Sequence, residues 1–169
     1  MTFQVRRATL EDACHIARVH VSSWQTSYKH LLPATYLDTL EVSAREARWN
    51  AIFERNESST FVALLEGEVV GFVSAGPMLS SIGDFQGEIH ALYTLERVQG
   101  KGVGRLLFAA AQNHLLEQQF SDMALWVLWD NPARGFYEHV GGHLLDFQRE
   151  IEIGGVKLLE VAYGWRTIN

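Results

Sequence analysis

The sequence predicts one α+β domain of three layers, residues 1–169, with helices on both faces of a mixed, mostly antiparallel sheet. Three observations predict this fold. Amphipathic helical stretches alternate with short β-prone runs along the chain. One such run passes directly into a helix through a glycine-rich turn, Gly100-Lys101-Gly102-Val103-Gly104. Two further pairs of runs are each joined by a glycine turn, at Gly67 and at Gly154-Gly155, which is typical of hairpins.

Composition restricts the class of protein. With 47% hydrophobic residues, a chain of this length can bury roughly 70% of its unfolded surface. The net charge of −6 argues against a nucleic-acid partner and suits cationic ones. No apolar run reaches about 18 residues and no signal-peptide core is visible, so we expect no membrane partner. The single cysteine excludes an internal disulfide and fits a reducing cytoplasm, where we expect the protein.

The N-terminal half is predicted to form a strand, two helices and a hairpin. Thr9 caps the first helix, and Ser43 begins a capping box for the second. Cys14 lies on the apolar stripe of the first helix, either as a core residue or as a nucleophile. We favour the core because no partnering base is identifiable nearby. The predicted strands are 3–8, 60–65 and 69–74, and the predicted helices are 10–21 and 43–53.

The C-terminal half is predicted to alternate strand and helix and to close with a hairpin. The helix after the glycine turn carries an apolar i+4 row, which indicates packing on a sheet. Pro132 is well placed as the first residue of the last helix, and Gly141-Gly142 ends that helix. The apolar row is Val103, Leu107, Ala111 and Leu115, and the predicted strands are 88–94, 124–128, 144–153 and 157–165.

The glycine turn is a candidate anion-binding site. Its three glycines allow a sharp turn without Cβ atoms, and the first N–H groups of the next helix have no partner within that helix. Aligned peptide dipoles leave roughly +0.5 charge at this end, and Lys101 and Arg105 add positive charge there. The turn is therefore either a pyrophosphate cradle or a plain connection between strand and helix.

Two blocks of sequence resemble the signatures of one family. Gln99-x-x-Gly102-x-Gly104 is similar to the Q/R-x-x-G-x-G/A signature of the GNAT superfamily of acetyl-CoA-dependent N-acetyltransferases. Residues 131–142, N-P-A-R-G-F-Y-E-H-V-G-G, resemble the family's N-x-x-A-x-x-F-Y-x-x-x-G-F. The resemblance covers nearly the whole chain and implies a central strand that splays away from the next one around acetyl-CoA. The departures are Glu96 for a proline, Gly135 for a larger residue and Gly142-His143 for Gly-Phe.

The resemblance implies contacts to acetyl-CoA, used as a co-substrate without a metal. The backbone of Leu92, Tyr93 and Thr94 would pair with the pantetheine arm, as an edge strand pairs with any extended chain. Asn131 either contacts the cofactor or caps its own helix. The pyrophosphate would lie on the turn, whose residues are Gln99, Gly100, Lys101, Gly102, Val103, Gly104 and Arg105.

The proton transfers need an acid and a base. Tyr137 matches the family's general acid, which would protonate the departing thiolate; the alternative is a core tyrosine. Glu88 and His90 are either relays for the proton of the amine, through water, or solvated edge residues. By the two-residue period of a strand, they share a face with Leu92 and Thr94.

The predicted reaction is direct transfer of an acetyl group to a small primary amine, such as a polyamine or an amino-acid-like compound. Trp24 and Tyr28 either bind this acceptor or belong to the core. The net charge favours a cationic acceptor, which gains about 0.5–2 kcal/mol over an aromatic ring. A protein N-terminus is the alternative acceptor, and a non-catalytic acyl-CoA sensor is the alternative class. A homodimer is compatible with the sequence. His139 and His143 are separated by a glycine pair, which argues against a metal site.

Overall fold

The computed structural model describes residues 1–169 and confirms the predicted class, a mixed sheet with helices on both faces. The helices are α1 (Ala13–Ser27), α2 (Ala34–Leu37), α3 (Val42–Arg55), α4 (Val103–Glu117) and α5 (Ala133–His139). The strands are β1 (Phe3–Arg7), β2 (Ser59–Leu65), β3 (Glu68–Pro77), β4 (Gly87–Thr94), β5 (Met123–Leu128), β6 (His143–Ile153) and β7 (Val156–Trp165). Their order in the sheet is β1-β2-β3-β4-β5-β7-β6. Only β4 and β5 are parallel neighbours.

Each face of the sheet carries its own core. Helix α4 buries the predicted i+4 row, including Leu107 and Leu115, in a cluster of 19 buried residues that also contains Tyr137 of α5. Helices α1 and α3 pack on the other face through a cluster of nine, which includes Ile16, Trp49 and Phe72. Burying one such large apolar side chain contributes about 1.5–3 kcal/mol, so both helical layers are held mainly by these contacts.

The entry to α1 is fixed by a buried carboxylate. A 3-10 turn, Leu10–Asp12, precedes the helix, and the backbone N–H of Thr9 donates to the Asp12 carboxylate at 2.9 Å. Arg6 of β1 donates two hydrogen bonds to the same carboxylate, at 2.8 and 2.9 Å. These bonds from Arg6 hold the pKa of Asp12 below its ordinary value. Thr9 therefore caps this 3-10 turn, as predicted for the start of the element, but the α-helix itself begins only at Ala13 and runs on to Ser27.

Helix α3 begins before the predicted capping box. Glu41 is its N-cap, with extended backbone and no side-chain hydrogen bond to the first turn. The N–H of Arg45 donates to the Glu41 carbonyl at 3.2 Å, so Ser43 already lies inside the helix. The prediction that Ser43 is the N-cap is therefore wrong. The sequence did not predict α2, because four residues are too few to show a helical period.

Strands β4 and β5 separate soon after they meet. They pair in parallel only at Gly87 with Met123 and Glu88 with Ala124. Beyond that point β4 remains paired with β3, and β5 remains paired with β7 along its whole length. The predicted splay of the two strands is thus confirmed, and it leaves a gap in the middle of the sheet.

Candidate active site

The gap between β4 and β5 opens into a cleft of about 1020 Å³. Its walls come from both helical layers, because residues of α1 line it together with residues of α4 and α5. The cleft therefore passes through the sheet. Of the predicted site residues, all except Glu88 and Lys101 line it: Trp24, Tyr28, His90, Leu92, Tyr93, Thr94, Gln99, Gly100, Gly102, Val103, Gly104, Arg105, Asn131 and Tyr137.

The glycine turn presents unpaired N–H groups at the start of α4. Gly100 and Gly102 adopt left-handed backbone, with φ of 73° and 89°, which favours glycine. The N–H groups of Gly100, Lys101 and Gly102 donate to no other group of the protein, and the first helical bond runs from Leu106 N to Gly102 O at 3.2 Å. The positive end of the α4 dipole lies at the same place. The turn can therefore bind an anion through its backbone.

The two cations of the turn behave differently. Arg105 lines the cleft. Lys101 Nζ instead donates to the Arg97 carbonyl at 2.8 Å, which directs the ammonium back over a 3-10 turn, Glu96–Val98, that precedes the glycine turn. The ammonium of Lys101 therefore lies outside the cleft. Its charge still contributes to the positive potential around the turn.

The edge of β4 that faces the cleft has no strand partner. Leu92, Tyr93 and Thr94 pair with β3 on the other edge. The Thr94 carbonyl already accepts hydrogen bonds from Ser23 Oγ at 3.1 Å and from Gln99 Nε2 at 3.3 Å. An extended ligand would therefore pair chiefly with the groups before Thr94, and Gln99 is engaged in holding the end of the strand.

A β-bulge at His90 changes the faces of β4. Ile89 and Ala91 pair with consecutive residues of β3, so His90 is an extra residue between them. As a result Ile89 and Leu92 pack towards α4, while Ala91 packs towards α1 and α3. The predicted common face is therefore wrong, because the bulge breaks the two-residue period. That prediction concerned Glu88, His90, Leu92 and Thr94.

Glu88 lies behind His90 rather than in the cleft. Its buried carboxylate accepts hydrogen bonds from Leu79 N at 2.8 Å and from Ser80 Oγ at 2.6 Å. The His90 Nε2 atom lies 3.6 Å from this carboxylate and 3.0 Å from the Pro77 carbonyl oxygen. A carbonyl only accepts, so Nε2 carries a hydrogen, and whenever the ring is neutral the lone pair is on Nδ1.

Three tyrosines converge on the cleft. Burial raises the pKa of Tyr137, Tyr28 and Tyr93 above that of an ordinary phenol, and the proximity of Tyr93 raises the first two further. The hydroxyl of Tyr137 has no hydrogen-bond partner in the protein, which leaves its proton available to a ligand. Tyr28 and Trp24 lie edge to face with ring centroids 5.0 Å apart. The Trp24 Nε1 atom is buried without a hydrogen-bond partner.

Asn131 caps helix α5. Its Oδ1 accepts a hydrogen bond from Ala133 N at 2.9 Å, and its Nδ2 donates to the Tyr28 hydroxyl at 3.4 Å. Of the two predicted roles, the structure shows the capping contact, and a second contact to Tyr28, the residue that follows α1.

Sequence reasoning missed Glu160. This residue of β7 lines the cleft with its side chain only 13% exposed, and it accepts a hydrogen bond from Arg149 Nε at 2.8 Å. Burial is the main reason why the pKa values of Tyr28 and Tyr93 are raised, and the negative charge of Glu160 adds to it. The available signal was one acidic residue inside an otherwise apolar strand. Arg149 itself stacks on Trp126 at 4.3 Å and extends this wall.

Two further features bear on the class of protein. No three side chains of His, Cys, Asp or Glu come together as a metal site. None of the helices combines the length and the apolar character needed to span a bilayer.

One cleft thus brings together a turn with unpaired backbone N–H groups, a free strand edge and a tyrosine hydroxyl without a protein partner. The acetyltransferase (GNAT) family matches residues 18–142. The uncharacterized N-acetyltransferase YuaI of Bacillus subtilis (strain 168) is 41% identical over 166 residues, which cover 98% of this chain and 94% of that protein. The chain therefore belongs to the acetyltransferase (GNAT) family, and it is an N-acetyltransferase.

Solved structures share the fold at lower identity. PaiA N-acetyltransferase from Thermoplasma acidophilum, in complex with coenzyme A, is 17% identical with a TM-score of 0.72, over 95% of this chain and 98% of that one. YncA from Salmonella typhimurium, with its cofactor acetyl-CoA, is 18% identical with a TM-score of 0.73, over 100% of this chain and 95% of that one.

Proposed function

We propose that this protein transfers the acetyl group of acetyl-CoA directly to the nitrogen of a small primary amine. One observation supports this above the others: a single cleft joins the unpaired amides of the glycine turn to the unpartnered hydroxyl of Tyr137. The first can hold the pyrophosphate of the donor, and the second can act at its thioester. The distance between them is spanned by the free edge of β4.

The cofactor contacts follow from the backbone. The N–H groups of Gly100 and Gly102 and the first turn of α4 would hold the pyrophosphate, with Arg105 beside them. The free edge of β4 at Leu92 and Tyr93 would pair with the pantetheine arm. Acetyl-CoA supplies a thioester whose carbonyl carbon accepts the amine and whose sulfur leaves.

His90 is the proposed base. Its Nε2 hydrogen is held by the Pro77 carbonyl, so Nδ1 can accept a proton from the amine, directly or through water. The Glu88 carboxylate at 3.6 Å from Nε2 would stabilise the imidazolium that results. Glu88 is thus a positioning residue, and its hydrogen bonds to the 79–80 loop keep it in place.

Tyr137 is the proposed acid. Its raised pKa keeps the phenol protonated at working pH, so the hydroxyl can donate to the sulfur as negative charge develops there. The thiol of coenzyme A has a reference pKa near 8.5 by analogy with cysteine, and an ordinary phenol is near 10. Tyr137 therefore stabilises the leaving thiolate mainly by sharing its proton. Cys14 lies outside the cleft, which supports direct transfer over an acetylated cysteine.

The acceptor would enter beside α1. Trp24 and Tyr28 offer aromatic faces, and Glu160 places a carboxylate near the tyrosine hydroxyls. These groups suit a protonated amine before it loses its proton. A polyamine and an amino-acid-like compound both meet this requirement.

The test is thiol release from acetyl-CoA with a panel of diamines, polyamines, amino acids and N-terminal peptides, with mass spectrometry of the product. We expect turnover with at least one small amine. Acetyl-CoA that binds without turnover for any amine or peptide would instead make the protein an acyl-CoA sensor. Preference for peptides would replace the small amine by a protein N-terminus.

A further inference from the structure

A second cavity of about 460 Å³ adjoins the acceptor end of the cleft. The two cavities share His90 and Ala91 as lining residues, so they meet at the bulge of β4. The far wall of the second cavity is α3, which contributes three arginines to it: Arg45, Arg48 and Arg55. The cavity is therefore unusually rich in guanidinium groups for a protein of net charge −6.

The positive charge of this cavity is not neutralised. Neither Arg45 nor Arg48 has a carboxylate within 4.0 Å, whereas Arg55 lies 3.9 Å from Glu57, and both of those side chains are largely exposed. His20 also lines the cavity, but burial, with Arg45 and Arg48 nearby, lowers its pKa to about 3, so its ring is neutral. Two unpaired arginines thus face one small cavity.

Arg45 lies at the boundary between the two cavities. Its guanidinium is 5.8 Å from the ring centroid of Trp24, which lines the main cleft. Burial and the neighbouring Arg48 lower its pKa, while Tyr93 opposes this effect, so the charge is partly desolvated and close to the tyrosine cluster. Such a charge gains from an anion placed against it, since the guanidinium fork binds carboxylate and phosphate in a bidentate manner.

We propose that Arg45 and Arg48 form a subsite for an anionic group, a carboxylate or a phosphate, carried by the amine acceptor. This rests on the proposed function, because it describes the second end of the same substrate. The amine reacts beside His90, which lines both cavities, and the anionic end lies on α3. The subsite selects the amino-acid-like class of acceptor over the polyamine class, whose second ammonium would meet two arginines.

The binding test uses protein saturated with coenzyme A, so that the glycine turn is already occupied. Inorganic phosphate and acetate are titrated separately by calorimetry, which distinguishes a phosphate from a carboxylate subsite. We expect Arg45→Gln and Arg48→Gln each to weaken the preferred anion about tenfold or more. Arg18→Gln is the control, because Arg18 is exposed on α1 and lines neither cavity. Equal affinity in the wild type and Arg45→Gln, or no anion binding to the wild type, overturns the subsite.

The turnover test compares amines of matched length: 4-aminobutanoate, 1,4-diaminobutane and 1-aminobutane, with 2-aminoethyl phosphate as the phosphate arm. We expect kcat/KM to be at least tenfold higher for an anionic amine than for the diamine. Arg45→Gln should abolish that advantage through KM, with kcat little changed. Faster turnover of the diamine overturns the subsite while the proposed function stands. If no amine turns over, the proposed function fails, and anion binding alone decides the subsite.

Discussion

The two sides of β4 present different kinds of chemical group: backbone groups on one side and side chains on the other. On the side of α4, the cleft presents backbone groups: the amides of one continuous turn and the free edge of one strand. On the side of α1 and α3, the cleft and the second cavity present side chains from distant parts of the chain, such as Trp24 and Glu160 in the cleft and Arg45 in the cavity. On the proposed function, the donor is always acetyl-CoA, so backbone groups in a fixed arrangement are sufficient to bind it. On the same proposal, the acceptor would be bound by side chains, which can be exchanged without altering the fold.

The proposed acid lies between the two sides, so the largest effect is expected at Tyr137. Tyr137→Phe removes the hydroxyl and keeps the packing of the ring against Phe136 and Trp165. If the hydroxyl stabilises the thiolate, kcat falls by about 10²- to 10⁴-fold while KM for acetyl-CoA changes little. Steady-state kinetics and the melting temperature are measured on the same variant. The hydroxyl makes no hydrogen bond within the protein, so its removal should affect kcat only through the mechanism. A near-normal kcat would therefore exclude Tyr137 as the acid.

The next largest effect is expected on acetyl-CoA binding, and it should leave anion binding on the other side of β4 unchanged. Gly102→Asp places a carboxylate beside the pyrophosphate and forces a side chain into φ of 89°. Like charges a few ångströms apart near a protein surface repel by several kcal/mol, so we expect acetyl-CoA to bind about 100-fold more weakly. Anion binding at Arg45 should not change, as calorimetry can check.

Gly104→Asp distinguishes charge from backbone strain. Gly104 lies within α4, and a Cβ there would make ordinary contact with Phe136 at 3.5 Å. We therefore expect weaker acetyl-CoA binding at nearly unchanged stability, with Gly104→Ala close to the wild type. Unaltered affinity in a folded Gly104→Asp protein would exclude the turn as the phosphate site.

The smallest effect concerns the stability of the acceptor side. His20 has a pKa of about 3 in the folded protein because it is buried, and Arg45 and Arg48 lower it further, against about 6.5 when unfolded. The unfolded state therefore binds a proton first as the pH falls. The free energy of unfolding should decrease by about 2 kcal/mol from pH 7 to pH 5 on this account. Denaturant unfolding at several pH values measures it.

His20→Asn tests the assignment of this pH dependence. The amide oxygen can replace Nδ1 as acceptor for Trp49 Nε1, which donates to it at 3.2 Å. The decrease in the free energy of unfolding between pH 7 and pH 5 should then shrink by about 2 kcal/mol, even if overall stability drops. What remains includes the contribution of His114, whose pKa is also lowered by burial. His15→Asn, an exposed position on the same helix, should retain the full decrease. A decrease that is unchanged in His20→Asn would place its origin elsewhere.

The difference between the two sides explains what the sequence could predict. The glycine turn is contiguous, so its residue types and spacing are visible directly, and both its position and the splay of β4 and β5 are confirmed. The bulge at His90 was not visible, because it depends on the register with β3. For the same reason the strand period assigned Glu88 to the wrong face.

The acceptor side depends on contacts across long sequence separations. Arg45 looked like part of a capping box, yet its guanidinium lies over Trp24. Glu160 was one acidic residue in an apolar strand until β7 placed it beside the tyrosines. The net charge of −6 suggested a cationic acceptor, but a sum over the chain does not describe the local charge of a cavity.

The separation of β4 and β5 also has a mechanical consequence. The sheet consists of two parts, β1 to β4 and β5 to β7, which are joined by only two residue pairs between β4 and β5. The two parts can bend relative to each other at this short junction, since bending there strains few hydrogen bonds. An extended donor bound along the edge of β4 would add hydrogen bonds to the backbone of that strand. It would hold the free end of β4 in place while the reacting groups must stay aligned.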